Sequence, residues 1–378
     1  MKKILLVFGT RPEAIKMAPL IKAFQGQGQN FETRVCVTGQ HREMLNPVLS
    51  LFEIKTDYNL DVMRPDQDLY DITCNVLKGM KTVFQAWRPD FVFVQGDTST
   101  TFAVSLAAFY EKILVGHVEA GLRTGDLFSP WPEEANRRLT SQLACYHFAP
   151  TARNRDNLLK ENIASDKIIV TGNTGVDALL LMKNKLDSDA FLRERTRKSI
   201  KQKGLDPDSA EFVLVTGHRR ENFGQGLTDI CAALKTIASA RPHINIVYPV
   251  HLNPKVCKTV KESLTGIRNV HLIEPLDYND FVYLMSSSRL IITDSGGIQE
   301  EAPSLGKPVL VARDKTERPE AVDAGTVKLV GANARRIVIE ANDLLDNKQA
   351  YEVMAKAHNP YGDGKACERI VNFMRGVE

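Results

Sequence analysis

The sequence predicts an α/β protein built from two doubly wound parallel-sheet domains of similar size. Its 378 residues correspond to roughly two and a half domains at about 150 residues each. Short apolar runs rich in Val and Ile alternate with longer segments of helical period, a pattern typical of parallel strands joined by crossover helices. A charged stretch interrupts this alternation at residues 183–209. We therefore predict an N-terminal domain over 1–182, a connector over 183–209 and a C-terminal domain over 210–359.

The strand candidates are continuously apolar instead of alternating, so each sheet is expected to be buried on both faces. In the N-terminal domain they are residues 3–8, 33–38, 91–95, 113–118, 146–149 and 168–171. In the C-terminal domain they are residues 212–216, 244–250, 269–273, 289–293, 308–312 and 327–330. Two such Rossmann-like domains predict a ligand cleft between them, with the chemistry on loops that follow strands.

Composition excludes several classes of protein. The 49 Lys and Arg against 46 Asp and Glu leave a formal net charge of +3, too small for a protein that coats nucleic acid. No run approaches the ~18 apolar residues that span a bilayer. The short apolar start meets Arg11 and Glu13 without a signal-peptide cleavage site, so we expect a first strand and a cytoplasmic protein. The six cysteines are scattered, so neither a disulfide framework nor a zinc cluster is expected.

The first predicted strand ends in the segment GTRPE, residues 9–13. Thr10 and Glu13 have the spacing of a capping box, which indicates that a helix starts here. The amino end of a helix attracts phosphate, and Arg11 and Lys16 stand at its entrance and one turn in. The alternative is a well-capped helix with exposed basic residues. Neither a nicotinamide-dinucleotide fingerprint nor a P-loop is present.

A second candidate anion site lies in the C-terminal domain, where Ser295, Gly296 and Gly297 join a strand to a helix. The two glycines can bring bare backbone N–H groups close to a diphosphate, and Ser295 can cap the helix and donate to phosphate. Glu301, one turn further on, could accept both hydroxyls of a ribose. The alternative is a glycine turn that only packs the helix on the strand.

Two further residues of the C-terminal domain could face the same ligand. His218 follows the strand at 212–216 and could bond phosphate or move protons, or serve only structure. Arg318 could clamp a phosphate, or could pair with Glu317 or Glu320.

Acidic side chains collect at strand ends of the N-terminal domain. Asp97 follows one strand and could be a helix cap, whereas Glu119 closes a buried strand and therefore needs a partner or a function. Glu133 stands four residues before Arg137, the spacing of an ordinary helical ion pair. Their convergence on one cleft would make them candidate acids and bases.

Eight segments carry a resemblance to a known family. They are GTRPEAIKMAP, VTGQHREM, GDTSTT, GHVEAGLRTGD, SPWPEEANR, ITDSGGIQEEAPSLGKPVL, DKTERPEA and HNPYGDG. In this order, over nearly the whole chain, they resemble the non-hydrolysing UDP-N-acetylglucosamine 2-epimerases of bacteria. The resemblance implies two Rossmann-like domains in a GT-B arrangement, a homodimer, no metal or nicotinamide cofactor, and a C-terminal helix, about 360–378, that packs back onto the N-terminal domain.

The resemblance also implies a reaction and its residues. UDP is eliminated from UDP-N-acetylglucosamine to leave 2-acetamidoglucal, and it adds back with a proton on the opposite face to give UDP-N-acetylmannosamine for a bacterial surface polysaccharide. Asp97, Glu119 and Glu133 match the catalytic carboxylates, with base and acid unassigned. The residues matching the nucleotide-sugar site are Arg11, Lys16, Asp97, Glu119, His218, Leu276, Phe281, Ser295, Gly296, Gly297, Glu301 and Arg318, with His218 also counted as catalytic. Leu276 stands where many relatives have glutamine. We therefore expect the uracil to be bound there by main-chain groups and not by the side chain.

Some relatives bind a second UDP-N-acetylglucosamine as an activator. Gln40, His41, Glu133 and His251 match parts of that site, whereas Asp66 stands where some members have arginine. Two other functions stay open at this point. A GT-B glycosyltransferase could use the same UDP cradle with a sugar acceptor, and a two-domain sugar-binding protein would carry out no chemistry.

Overall fold

The computed structural model describes residues 1–39, 42–64, 66–207 and 211–377. The chain divides into two compact units. Unit 1 comprises Met1–Ala178 and Tyr361–Glu378, and unit 2 comprises Leu179–Pro360. Each unit is a parallel sheet covered by helices, which confirms the predicted fold class. No described helix combines the length and the apolar character needed to cross a membrane.

In the described part of unit 1, seven strands form one parallel sheet in the order β3-β2-β1-β4-β5-β6-β7. The strands are β1 (Lys2–Phe8), β2 (Phe31–Val37), β3 (Tyr58–Asn59), β4 (Phe91–Gln95), β5 (Leu114–Val118), β6 (Tyr146–Ala149) and β7 (Ile168–Val170). The helices are α1 (Arg11–Gln25), α2 (Arg42–Leu51), α3 (Leu69–Ala86), α4 (Ser99–Tyr110), α5 (Glu133–Leu143), α6 (Ala152–Lys160) and α7 (Thr174–Ser188), which runs on into unit 2. The predicted strands are all present, and only the two-residue β3 escaped prediction because so short a strand has no apolar run.

Unit 2 contains a six-stranded parallel sheet within its described residues, in the order β10-β9-β8-β11-β12-β13. The strands are β8 (Phe212–Thr216), β9 (Asn245–Pro249), β10 (Val270–Ile273), β11 (Leu290–Thr293), β12 (Val309–Val311) and β13 (Val327–Leu329). The helices are α8 (Ala190–Gln202), α9 (Gln225–Ala240), α10 (Pro254–Leu264), α11 (Tyr278–Ser287), α12 (Gly296–Glu301), α13 (Pro319–Asp323), α14 (Ala334–Asp346) and α15 (Lys348–Ala355). Both sheets reverse their strand order at a central pair, β1 and β4 in unit 1 and β8 and β11 in unit 2, where such folds place their ligands.

The stretch predicted as a connector, 183–209, is helical over most of its described part. It contains the end of α7 and the whole of α8, and the boundary between the units falls earlier, at Ala178. Helix α8 belongs to unit 2, where the Ser199 hydroxyl donates to Asp280 at 2.6 Å. Its buried residues Leu192, Thr196 and Ile200 recur every four positions, so the charges that suggested a linker are the solvated face of an amphipathic helix.

The C-terminal helix α16 (Ala366–Gly376) lies in unit 1. Its first turn donates two backbone N–H groups to the Asp177 carboxylate, from Ala366 at 3.2 Å and from Cys367 at 2.8 Å. Further along, the Phe373 ring meets Phe148 of β6 edge-on at 5.9 Å. A carboxylate at one end and an aromatic contact at the other hold the last helix of the chain against the first sheet.

Candidate functional site

The turn after β1 is built around the buried carboxylate of Glu13. Its Oε2 accepts backbone N–H groups from Gly9 at 3.0 Å and Thr10 at 2.7 Å, and its Oε1 accepts the Thr98 hydroxyl at 2.6 Å. The predicted capping box is therefore confirmed. Burial raises the pKa of Glu13, and the hydrogen bonds from these residues oppose that rise. The turn that carries Arg11 is thus fixed to the start of α4.

Glu119 forms an ion pair, as expected for a carboxylate at the end of a buried strand. It follows β5 in the left-handed region, at φ 63°, and its carboxylate forms an ion pair with Lys16 of α1. Asn173 donates to the same oxygen from 3.2 Å. The side chains of Lys16 and Glu119 are only 14% and 12% exposed, so little solvent screens the pair. Two predicted site residues are in this way brought together by α1 and β5.

Asp97 follows Gly96 at the end of β4 and is held from helix α5. Its Oδ2 lies 2.6 Å from Nη2 of Arg137, and its backbone carbonyl accepts the Asn136 side chain at 3.0 Å. Thr98, instead of Asp97, caps α4. Burial raises the pKa of Asp97, the cation of Arg137 opposes this, and the nearby charges of Glu133 and Lys16 act in opposite directions.

Glu133 begins α5 but does not pair with Arg137, contrary to the spacing argument. Arg137 instead contacts Asp97 and, at 3.2 Å, the fully buried Glu134. Glu134 also accepts the backbone N–H of Thr124 at 3.0 Å, which fixes the loop before α5. The Oε2 atom of Glu133 is buried without a hydrogen-bond partner among the described residues, and a buried polar atom of this kind calls for an explanation such as a ligand or a bound proton.

These residues form a charged cluster at the carboxyl edge of the unit 1 sheet. Its members are Lys16, Asp97, Glu119, Glu133 and Arg137, which approach from α1, from the ends of β4 and β5, and from α5. Carboxylates of differing environment held beside two cations are suited to take up and return protons. The sequence identified the carboxylates as candidates, but it did not predict that Arg137 would pair with Asp97.

In unit 2 the corresponding edge is organised by Asp294, which sequence analysis did not select. This carboxylate, 1% exposed, accepts the backbone N–H of His218 at 3.0 Å, that of Arg219 at 2.9 Å and the Asn222 amide at 3.2 Å. A buried acid at a strand end was the available signal, since such a group must be paired or hydrogen-bonded. Asp294 joins the loop after β8 to the turn after β11.

His218 is partly exposed and stacks on a second histidine. Its ring lies 5.2 Å from that of His251, at an interplanar angle of 15°. Burial lowers the pKa of His218, whereas Asp294 raises it and His251 lowers it further. An imidazole in this position can donate to an anion from its exposed edge.

The glycine turn after β11 is closely covered by Arg318. A Cβ atom on Gly296 would lie 2.6 Å from the Cζ and Nη1 atoms of that guanidinium. Arg318 pairs with Glu300 through Nε at 2.7 Å and with Glu317 through Nη1 at 2.8 Å. The sequence predicted Glu317 as a partner but not Glu300. Ser295 stands at the helix start, but its side chain makes no capping bond, which corrects one of its two predicted roles.

The remaining predicted ligand residues of unit 2 lie in the segments that follow β10 and β11. Leu276 is 7% exposed, and Phe281 is half-buried in α11. Glu301 is partly exposed and ends α12.

Of the four residues predicted for an activator site, Gln40 and His41 lie outside the described residues. Glu133 is in unit 1 and His251 is in unit 2. Asp66 adopts a left-handed backbone conformation at φ 59°, which is uncommon for a residue other than glycine.

Comparison with known proteins identifies the family. The sequence model of the UDP-N-acetylglucosamine 2-epimerase family matches residues 23–375. The chain belongs to this family. It is 57% identical to the UDP-N-acetylglucosamine 2-epimerase of Escherichia coli over 373 residues, covering 99% of this chain and 98% of the relative, and 56% identical to that of Campylobacter jejuni over 374 residues, covering 99% and 97%. The crystal structure of the Neisseria meningitidis UDP-GlcNAc 2-epimerase bound to UDP-GlcNAc matches at 53% identity and a TM-score of 0.90, covering 98% of this chain and 99% of that one.

Membership confirms the resemblance and makes the chain an isomerase of the non-hydrolysing epimerase class. The charged cluster of unit 1 and the glycine turn of unit 2 are therefore the candidate site regions of this chain. Within the described ranges, no group of three or more His, Cys, Asp or Glu side chains is placed to hold a metal ion. Sequence reasoning missed Asn173, Asp294 and Arg137, each of which acts by holding another site residue.

Proposed function

We propose that this epimerase interconverts UDP-N-acetylglucosamine and UDP-N-acetylmannosamine by inverting carbon 2 of the sugar. The observation that carries the proposal is the charged cluster of unit 1, in which Asp97, Glu119 and Glu133 stand beside Lys16 and Arg137. Inversion at a weakly acidic carbon requires proton removal on one face and proton return on the other. The related Neisseria meningitidis structure, solved with UDP-GlcNAc, supports this substrate.

The reaction runs as an elimination followed by an addition. A base takes the proton from carbon 2, its electron pair forms the double bond to carbon 1, and the carbon 1–oxygen bond breaks with its electrons passing to the UDP diphosphate. 2-Acetamidoglucal and UDP are then held together. UDP attacks carbon 1, and an acid delivers a proton to the opposite face of carbon 2. We assign proton removal and return jointly to Asp97, Glu119 and Glu133.

The departing diphosphate needs donors where negative charge develops. We propose that Arg11, Lys16, His218 and Arg318 supply cationic or imidazole donors, and that the turn at Ser295, Gly296 and Gly297 supplies backbone N–H groups. The close approach of Arg318 to Gly296 supports one shared anion site. Glu301 would accept the ribose hydroxyls, Phe281 would pack on the uracil, and the loop of Leu276 would read the base.

We further propose a homodimer. Phe109 and Tyr110 at the end of α4 are 58% and 67% exposed, and Leu139 of α5 is 48% exposed, so unit 1 presents apolar side chains that a second copy could cover. Light scattering should give twice the monomer mass, and Phe109→Glu should shift the mass toward the monomer. A single-subunit mass at micromolar concentration would contradict this proposal.

We also propose that the enzyme needs neither metal nor nicotinamide and that it is cytoplasmic. We propose further that a second UDP-N-acetylglucosamine activates it and that its product supplies a surface polysaccharide. Independence from metal predicts an unchanged rate after exhaustive treatment with a chelator. Activation predicts a sigmoidal rate curve for UDP-N-acetylmannosamine that becomes hyperbolic when a trace of UDP-N-acetylglucosamine is added.

The main test is incubation with UDP-N-acetylglucosamine in deuterium oxide, followed by NMR. We expect UDP-N-acetylmannosamine to appear with deuterium at carbon 2, since the returned proton comes from solvent. Transfer of the sugar to an added acceptor, without epimer, would favour a GT-B glycosyltransferase instead. Unchanged substrate without deuterium would favour a binding protein.

A further inference from the structure

His117 is a buried histidine that the proposed chemistry does not use. It lies on β5, two residues before Glu119, and is 0% exposed. Strands β4 and β5 run in parallel with Gln95 opposite Val118, so the chain leaves both strands at the same level of the sheet. Asp97 follows the first of these ends and Glu119 follows the second. Any group that fixes one end to the other therefore sets the distance between two predicted catalytic carboxylates.

Gly96 is the residue through which the two ends are joined. Its backbone N–H donates to the Val118 carbonyl at 3.0 Å, and its own carbonyl lies 2.7 Å from Nε2 of His117. Gly96 has a φ of 71°, the left-handed region that glycine enters without a steric penalty. Both polar groups of the residue before Asp97 are thus bonded to the strand that carries Glu119.

The hydrogen bond to Gly96 also fixes the tautomer of His117. A carbonyl oxygen only accepts, so Nε2 must carry the proton. Burial is the main reason that the pKa of His117 is lowered to about 3; the hydrogen bond to Gly96 opposes this fall, and the neighbouring His147, Arg123 and Arg137 add to it. The neutral ring has one N–H, which leaves Nδ1 unprotonated; that atom is buried without a hydrogen-bond partner among the described residues. His117 is therefore neutral and a fixed donor at neutral pH.

We propose that His117 is a positioning residue, whose Nε2–H holds the Gly96 carbonyl and thereby sets Asp97 against Glu119. The inference rests on the proposed epimerase function. Loss of this donor removes the bond on the Gly96 carbonyl and lets the turn that carries Asp97 shift, although Val118, Asn136 and Arg137 still hold it; the anion site of unit 2 is not touched. Because displacement of a catalytic group by about 1 Å costs on the order of 10²-fold in rate, the turnover number should fall although UDP still binds.

The test compares variants that keep or remove the donor. His117→Gln places an amide N–H near the position of Nε2, whereas His117→Asn carries the same amide on a shorter side chain and His117→Leu carries none. His147→Leu is the matched control, because His147 is also buried and stands opposite His117 in the β5–β6 register. For each variant we would measure kcat for epimerisation, UDP affinity by calorimetry, the thermal midpoint and the pH–rate profile.

We expect kcat to fall at least about tenfold in His117→Leu and His117→Asn, with recovery in His117→Gln, unchanged UDP affinity and an unshifted acid limb. His147→Leu should keep the wild-type kcat. If His117→Leu does not fold, the comparison of Gln with Asn decides. Equal kcat in those two variants, or wild-type kcat in His117→Leu, would overturn the positioning role. A wild-type enzyme that makes no epimer would instead refute the proposed function, so the two failures are distinguishable.

Discussion

The carboxyl edges of the two sheets are built in different ways. At the edge of unit 1, acidic side chains are held by cationic ones, Glu119 by Lys16 and Asp97 by Arg137. At the edge of unit 2, one buried acid, Asp294, collects backbone N–H groups, and a glycine leaves room for a guanidinium. The first arrangement sets several carboxylates beside cations, whereas the second uses one carboxylate to fix a loop and packs a guanidinium over the glycine turn. The proposed function divides along the same line, with proton transfer assigned to the edge of unit 1 and anion binding to the edge of unit 2.

The largest effect should come from neutralising the carboxylates of unit 1. Asp97→Asn, Glu119→Gln and Glu133→Gln should each lower kcat by at least about 10²-fold, the scale of a lost acid or base, with UDP affinity retained. Steady-state kinetics and calorimetry would measure both. Glu111→Gln serves as the control, since the ion pair of Glu111 with Arg88 is solvent-exposed and such a pair contributes little to stability. Near wild-type rates in all three variants would remove the distinction between the two edges.

The next effect tests the close packing at the edge of unit 2. Gly296→Ala should lower the free energy of unfolding by about 2 kcal/mol, because the new Cβ would overlap the Arg318 guanidinium. Gly297→Ala is the matched control for stability, since the nearest atom to its Cβ would be the Glu301 Oε1 at 3.8 Å. Urea unfolding measures both. Equal stability of the two variants would show that Arg318 moves away without cost.

A smaller effect is expected at His218. Its side chain is 41% exposed, so His218→Ala should weaken UDP binding by about tenfold, the value of a charge-assisted or strong hydrogen bond, with little change in the thermal midpoint. His243→Ala alters an exposed histidine of the same unit and should leave UDP affinity unchanged. Calorimetry that finds the wild-type affinity in His218→Ala would remove this residue from the anion site.

The smallest effect is a pH dependence of the folding stability. Most of it should come from the buried histidines of unit 1. Burial lowers the pKa of His117 to about 3 and that of His147 to about 4, from an ordinary 6.5. The unfolded chain therefore binds more protons below pH 6.5, and stability is complete above that pH and falls as the solution is acidified. Each histidine should cost about 1 kcal/mol between pH 6.5 and 5.5.

His147→Leu should remove its share of that acid loss, which urea unfolding at both pH values would measure. None of the histidines in the described part of unit 2 is fully buried, so the corresponding change His271→Leu should alter the pH dependence less. An acid loss that is the same in wild type and His147→Leu would mean that His147 is protonated in the folded protein.

Most of the fold could be predicted from the sequence, but a charged stretch was interpreted as the boundary between two domains when it is mostly helical. Long apolar strands such as β4, buried at every position, and the capping box at Thr10 and Glu13 are local signals and were found. The charged segment 183–209 was taken for a connector because composition does not distinguish a linker from a polar helix face. The packing of α8 on α11, through Ser199 and Asp280, is a contact 81 residues apart in the chain, which no local pattern carries.

The candidate site divides in the same way. The chain order determined which groups are present: carboxylates after strands, a glycine turn before a helix and basic residues at an amino-terminal turn. The tertiary structure decided their partners, assigning Arg137 to Asp97 instead of Glu133, Glu300 to Arg318, and His117 to Gly96. Residue type and spacing fix which chemistry is available, because they are local. Burial and proximity fix which charge is held by which partner, and these arise only when strands distant in sequence lie side by side.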